Sequence, residues 1–144
     1  MHLPFRRLNP AARLPRARHP GDAGLDLCAI EDVDVAPGAR AMVATGVAVA
    51  IPEGHAGFVL PRSGLASKRG LTLANAPGLI DAGYRGEVVC AMVNLDREEA
   101  VRISRGDRIA QLVIVAVPAI APAWVEELPS TMRGESGFGS TGTS

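Results

Sequence analysis

The sequence predicts an all-β fold, a sandwich or barrel built from short strands. Three observations carry that expectation. β-Branched runs recur at short intervals, each bounded by Gly, Pro, Asn or Asp. Only Ser63–Arg69 has the composition of a helix, and it is barely two turns long. The 144 residues suit one domain, and no alternation of strands with long helical patterns suggests βαβ units.

In chain order, Leu3, Phe5 and Leu8 interrupt a run of arginines in a way that suits an edge strand. Met42–Ile51 reads as a partly alternating strand, ended by Pro52, Glu53 and Gly54. Gly57–Leu60, Glu87–Leu95, Val101–Ile103 and Arg108–Val117 read the same way. Between them, Asn75–Glu87 combines apolar residues with glycines and suggests a bent hairpin, with Asp81 just after a strand. The end of the chain differs: eleven of the fifteen residues from Ser130 to Ser144 are Gly, Ser or Thr. Such a stretch cannot offset its ordering entropy by apolar burial, so it should be mobile without a ligand. The expected organisation is a β domain over 1–129 and a flexible tail over 130–144. Arg133, Glu135 and Phe138 sit among the tail's glycines like contact residues on a strap.

Composition removes several classes of function. Formal net charge is zero and there are five aromatic residues, so neither a polyanion binder nor a base-stacking surface is expected. Arg6, Arg7, Arg13, Arg16 and Arg18 crowd the N-terminus, which reads first as a solvated flank. Cys28 and Cys90 form no CxxC pair, and His2, His19 and His55 lack metal-ligand spacing. Two buried thiols in a reducing cytoplasm are expected rather than a disulfide. No signal-peptide pattern is present, and the apolar run Leu112–Ala123 is too short to span a membrane. Gly137 to Gly142 fits GxGxxG, yet no helix can follow it, and no Walker A lysine motif exists.

Four short segments carry more polar residues and glycine than turns require. Pro61-Arg62-Ser63-Gly64 enters the helix, where free N–H groups, a guanidinium and a hydroxyl suit phosphate oxygens, although on these residues alone an N-cap with a solvated arginine is the better explanation. In Asn75–Glu87, the Asp81 carboxylate could orient and deprotonate a water, and Tyr84 could lie against a sugar. Ala23-Gly24-Leu25-Asp26-Leu27 is the third. In Arg105–Leu112, Asp107 and Arg108 could be a structural ion pair, and Gln111 needs partners in an apolar strand.

In this order the segments resemble the trimeric dUTP pyrophosphatase (dUTPase) family over essentially the whole chain. AGLDLCA at 23–29 is similar to that family's first motif, PRSG at 61–64 to its second and NAPGLIDAGYRGE at 75–87 to its third. RGDRIAQL at 105–112 and RGESGFGSTG at 133–142 follow as fourth and fifth. The resemblance implies a β jelly roll, a cytoplasmic homotrimer with sites at subunit interfaces, and no nucleic-acid or membrane partner. It implies Mg2+-dependent hydrolysis of dUTP to dUMP and pyrophosphate, which removes dUTP from the nucleotide pool and supplies dUMP for thymidylate synthesis. Asp81 would activate the water. Asn75, Leu79, Ile80 and Val89 would hold uracil, and Tyr84 the deoxyribose. Arg62, Ser63, Gly64 and Gln111 would bind phosphates. Arg133, Phe138, Gly139, Ser140 and Thr141 would close over the substrate. No direct protein ligand to the metal is expected; Asp26 would reach it through water or only brace the site. Two rivals remain. The dCTP deaminase branch carries a Glu on the strand after the third motif, where this chain has Ala91, and a non-catalytic nucleotide-binding domain would not need Asp81.

Overall fold

The computed structural model describes residues 2–132 and 134. Its strands are β1 (Phe5–Arg7), β2 (Leu25–Cys28), β3 (Val33–Val35), β4 (Arg40–Val49), β5 (His55–Pro61), β6 (Leu71–Leu73), β7 (Gly78–Ile80), β8 (Glu87–Asn94), β9 (Val101–Ile103) and β10 (Arg108–Ala116). One helix, α1 (Ser63–Arg69), joins β5 to β6. They form two four-stranded sheets, β1-β4-β8-β6 and β2-β10-β5-β7, and a two-stranded β3-β9 ladder, with every pairing antiparallel. Val43, Val49, Cys90 and Met92 from one sheet meet Leu27, Val59, Ile109 and Leu112 from the other in a single apolar core. This is the jelly-roll-like β-sandwich that the sequence led us to expect.

The long strands fall within two residues of expectation, and α1 matches it. α1 stops because Gly70 turns left-handed at φ 63° and donates its N–H to the Ala66 carbonyl. Asn75–Glu87 is not a paired hairpin. β7 joins β5 in one sheet and β8 joins β4 and β6 in the other, so the segment bridges the two sheets.

β4 carries a bulge: its register on β8 slips between Ala44 and Ala48. Gly46 makes the bulge at φ +69°, where an added Cβ would lie 2.8 Å from Ala12 Cβ. The Gly46 N–H then donates to Glu87 Oε1 at 2.6 Å, and the buried Thr45 hydroxyl donates to the Val88 carbonyl. These bonds fix the start of β8.

Only one thiol is fully buried. Cys90 lies in the core, whereas Cys28 is half-buried, because its strand β2 is a sheet edge. The arginine-rich flank is partly structural: Arg13 packs on the Gly106 turn and donates to the Gly106 carbonyl at 3.1 Å. After β10, Val117 N–H donates to the Gly54 carbonyl, and residues 116–132 are all exposed. Among the described residues no helix is long and apolar enough to cross a membrane.

Candidate active site

The residues singled out in the sequence gather in two separate places. The first is a cavity of ≈ 430 Å³ where β7 and β8 diverge. Asn75, Gly78, Leu79, Ile80, Asp81, Tyr84, Val89 and Ala91 are among its lining residues. Met42, Leu79, Tyr84 and Val89, exposed by 67%, 62%, 47% and 38%, all face it. Four large apolar side chains left open around one hollow make a patch suited to a ligand or a partner.

The loop after β7 holds its polar groups by local bonds. Asp81 follows Ile80, the last residue of β7, and its carbonyl accepts the Tyr84 N–H at 3.0 Å to close a turn. Arg85 Nη1 donates to the carbonyls of Ala82 and Tyr84 at 2.6 and 2.7 Å. The Tyr84 hydroxyl donates to the Glu87 carbonyl at 3.0 Å, so the ring lies across Gly86. A Cβ at Gly86 would come 2.4 Å from that hydroxyl, so glycine is what admits the ring. The Asp81 carboxylate itself is exposed and has no hydrogen-bond or ion-pair partner among the described residues. A carboxylate aimed into a cavity and left unpaired is available to take a proton from water.

The second place is a hollow of ≈ 500 Å³ on the outer side of the other sheet. Asp26, Arg62, Ser63, Gly64 and Gln111 line it, together with Arg18 and Arg108. Strand register explains the grouping: Asp26 and Leu60 are the partners of Gln111 on the two strands flanking β10, so the three share one face. Asp26 is clamped by two guanidinium groups, Arg108 Nη1 at 2.9 Å and Arg62 Nε at 3.4 Å. Arg62 also donates to the Arg108 carbonyl at 3.0 Å. Asp107 and Arg108 therefore do not pair. The Asp107 carboxylate caps the Ser104 N–H at 2.9 Å, while Arg108 reaches 82 residues back along the chain. The Gln111 amide donates to the Pro61 carbonyl at 3.1 Å, which supplies its partner. Arg62 is the N-cap residue of α1 through its backbone, with no side-chain cap bond, and its guanidinium is engaged by Asp26 and the Arg108 carbonyl rather than solvated.

The two hollows share no lining residue. Val59 lines the first and Leu60 the second, and neighbours on a strand point to opposite faces. Arg133, Phe138, Gly139, Ser140 and Thr141 lie outside the described residues. No group of three or more His, Cys, Asp or Glu that could hold a metal occurs among the described residues. Arg108, Arg18 and Met42 were not singled out for the site by sequence. Arg108 had a signal, standing inside the fourth motif; Met42 had none.

The sequence pattern of the dUTPase family matches residues 11–142. The chain belongs to the dUTPase family. It is 55% identical over 142 residues to the deoxyuridine 5'-triphosphate nucleotidohydrolase of Thermobifida fusca, covering 99% of this chain and 79% of that one. The enzyme of the same name from Streptomyces avermitilis is 54% identical over 142 residues, covering 99% and 81%. Among solved structures, the dUTPase of Staphylococcus bacteriophage 80alpha with dUPNHPP superposes with a TM-score of 0.91 at 36% identity, covering 99% of each chain. A variant dUTPase from phage phi11 of S. aureus, described for its coordination of a structural Mg(II) ion, gives 0.83 at 33% identity, covering 88% of this chain and 98% of that one.

Proposed function

We propose that this dUTPase-family enzyme hydrolyses dUTP of the cytoplasmic nucleotide pool to dUMP and pyrophosphate, with Asp81 as the general base for water attack on the α-phosphorus. The observation that carries this reading is the unpaired Asp81 carboxylate at the rim of an apolar cavity sized for a nucleoside. Family membership and the names of its relatives support the substrate. The cavity between β7 and β8 takes uracil, with the Asn75 amide and the backbone of Leu79, Ile80 and Val89 reading its edge. Tyr84 packs on the deoxyribose. A site built to pair uracil's polar edge rejects cytosine by leaving buried groups unmatched. Ala91 lines this cavity where the deaminase branch carries its glutamate, which disfavours deamination.

The outer hollow takes the phosphate chain. Arg62, the Ser63 hydroxyl, Gly64 and the Gln111 amide contact its oxygens, and Asp26 holds Arg62 and Arg108 in place. Phosphoryl transfer of this kind depends on positioning and charge stabilisation more than on covalent chemistry. Because the two hollows are separate in one chain, one substrate is served by the base cavity of one copy and the phosphate hollow of another. A homotrimer with interfacial sites satisfies this, and the exposed apolar stretch with Ile120, Trp124 and Leu128 has the character of an interface. The tail, residues 130–144, closes over the bound nucleotide with Arg133, Gly139, Ser140 and Thr141 on phosphates and Phe138 on the base.

Mg2+ fits this donor set only through substrate oxygens and water. Both oxygens of Asp26 already face guanidinium groups, and no acidic cluster lies nearby among the described residues. When bound, the ion supplies neutralisation of phosphate charge. One assay tests the whole reading: incubation with dUTP, dCTP and dTTP in Mg2+. Pyrophosphate from dUTP alone supports it, whereas ammonia from dCTP, or no reaction at all, contradicts it.

A further inference from the structure

Ahead of β2 the chain folds back on itself. Arg16 bridges Asp26 in antiparallel register, with the Asp26 N–H donating to the Arg16 carbonyl at 3.0 Å. Continuing that register sets Arg18 opposite Gly24, and the two-residue period of extended chain puts Arg18 on the face that carries Asp26. The turn between these arms is tied by Asp22: its carboxylate accepts the His19 N–H at 2.9 Å and lies 3.3 Å from His19 Nδ1. Gly21 turns the corner at φ 92°. The outcome is that Arg18 lines the outer hollow beside Arg62, Ser63 and Gln111.

The charges of that hollow are unequally committed. It holds three arginines and two aspartates. Asp26 is occupied by Arg62 and Arg108, and the Asp22 carboxylate is hydrogen-bonded to the His19 N–H. Arg18 has no ion pair or side-chain hydrogen bond among the described residues. The position opposite it is a glycine with a use: a Cβ at Gly24 would lie 2.4 Å from Gln111 Oε1. The missing side chain lets the Gln111 amide lie across the strand, in the hollow that Arg18 also lines. A cation left unpaired where every neighbouring carboxylate is already engaged is suited to an anion from solution.

We propose that Arg18 is a further substrate-binding residue, one that holds oxygens of the triphosphate chain and makes affinity depend on that chain's charge. This rests on the assignment of the outer hollow to phosphate. The test uses the full-length protein with Arg18→Gln, Arg18→Lys and, as a control, Arg62→Gln. Arg18→Gln is expected to raise KM for dUTP about tenfold with kcat little changed, as for the loss of one exposed charge-assisted contact. Affinity for the imido analogue of dUTP falls more than affinity for dUMP, Arg18→Lys recovers part of the loss, and KM becomes less sensitive to salt. If Arg18→Gln keeps the wild-type KM and salt dependence while Arg62→Gln raises KM, this inference fails and the phosphate assignment stands. If Arg62→Gln also leaves KM unchanged, both fail. Equal losses for dUMP and the imido analogue would overturn the inference too, because a purely structural role would move both.

Discussion

Asp81 and Asp26 are the same residue type in the same chain, and their surroundings differ sharply. Asp81 stands exposed at the rim of the cavity between β7 and β8 with no partner among the described residues. Asp26 is mostly buried on the outer face, between two guanidinium groups at 2.9 and 3.4 Å. A carboxylate already answered by cations is a brace; one left unanswered beside a ligand cavity is free to accept a proton. The two hollows divide in the same way, one shaped by apolar side chains and the other by charge.

Replacing each aspartate by asparagine therefore separates the two roles. Asp81→Asn is expected to lower kcat by about 10²–10⁴-fold, the usual worth of a general base, with stability unchanged. A large loss of affinity with unchanged turnover would contradict that role. Asp26→Asn should instead lower stability by about 1–2 kcal/mol, because Arg62 and Arg108 lose their countercharge, and should raise KM. A melting temperature equal to wild type would remove Asp26 from the brace.

Gly86→Ala probes the cavity between β7 and β8 alone. The new methyl takes the space of the Tyr84 hydroxyl, the end of a movable side chain, so the ring shifts rather than the backbone. KM for dUTP should rise about tenfold from the misplaced ring. Stability should stay within about 0.5 kcal/mol, as for other surface changes. Unaltered KM would mean that Tyr84 does not touch substrate.

The smallest effect concerns pH. Burial pushes the Cys90 thiol up to about 12, from a reference of 9.0, and Cys90 lines the cavity between β7 and β8. The folded state keeps the proton while the unfolded thiol ionises. Cys90 thus favours the fold fully below pH 9, and that contribution is lost as pH rises towards 12, by about 1 kcal/mol at pH 10. Cys90→Ala should remove this part of the alkaline slope; an identical slope in the two proteins would contradict it. Burial raises the Cys28 thiol as well, but that side chain is only half-buried, so alkylation at pH 8.5 should reach Cys28 first.

Much of this was readable from residues. The runs that became β4, β5, β8, β9 and β10 are long or strongly β-branched enough to announce themselves, and Ser63–Arg69 has the only helical composition. β2, β3, β6 and β7 have three or four residues each; the first three alternate apolar and polar, but over too short a stretch for that period to mark a strand. The motifs named Asp81, Tyr84 and Arg62, but not the pairing of Arg108 with Asp26 across 82 residues. Nor could they show that Glu87 is anchored by a bulge at Gly46, or that Arg18 folds back opposite Gly24. Each of these is a long-range pairing or a register, set by which strands meet, and nearby sequence does not record it.

The reading proposed for dUTP requires the β7–β8 cavity of one copy to work with the outer hollow of another. Mixing Asp81→Asn chains with Arg62→Gln chains tests it directly at dUTP concentrations well below the raised KM of Arg62→Gln, where each variant trimer alone should be nearly inactive. In randomly mixed trimers, roughly a quarter of interfaces would join an intact Asp81 from one chain to an intact Arg62 from its neighbour. The expected result is recovery of pyrophosphate release from dUTP to roughly that fraction of wild type. No recovery, with mixed trimers demonstrated by mass, would contradict the account and place both hollows at one chain's own substrate.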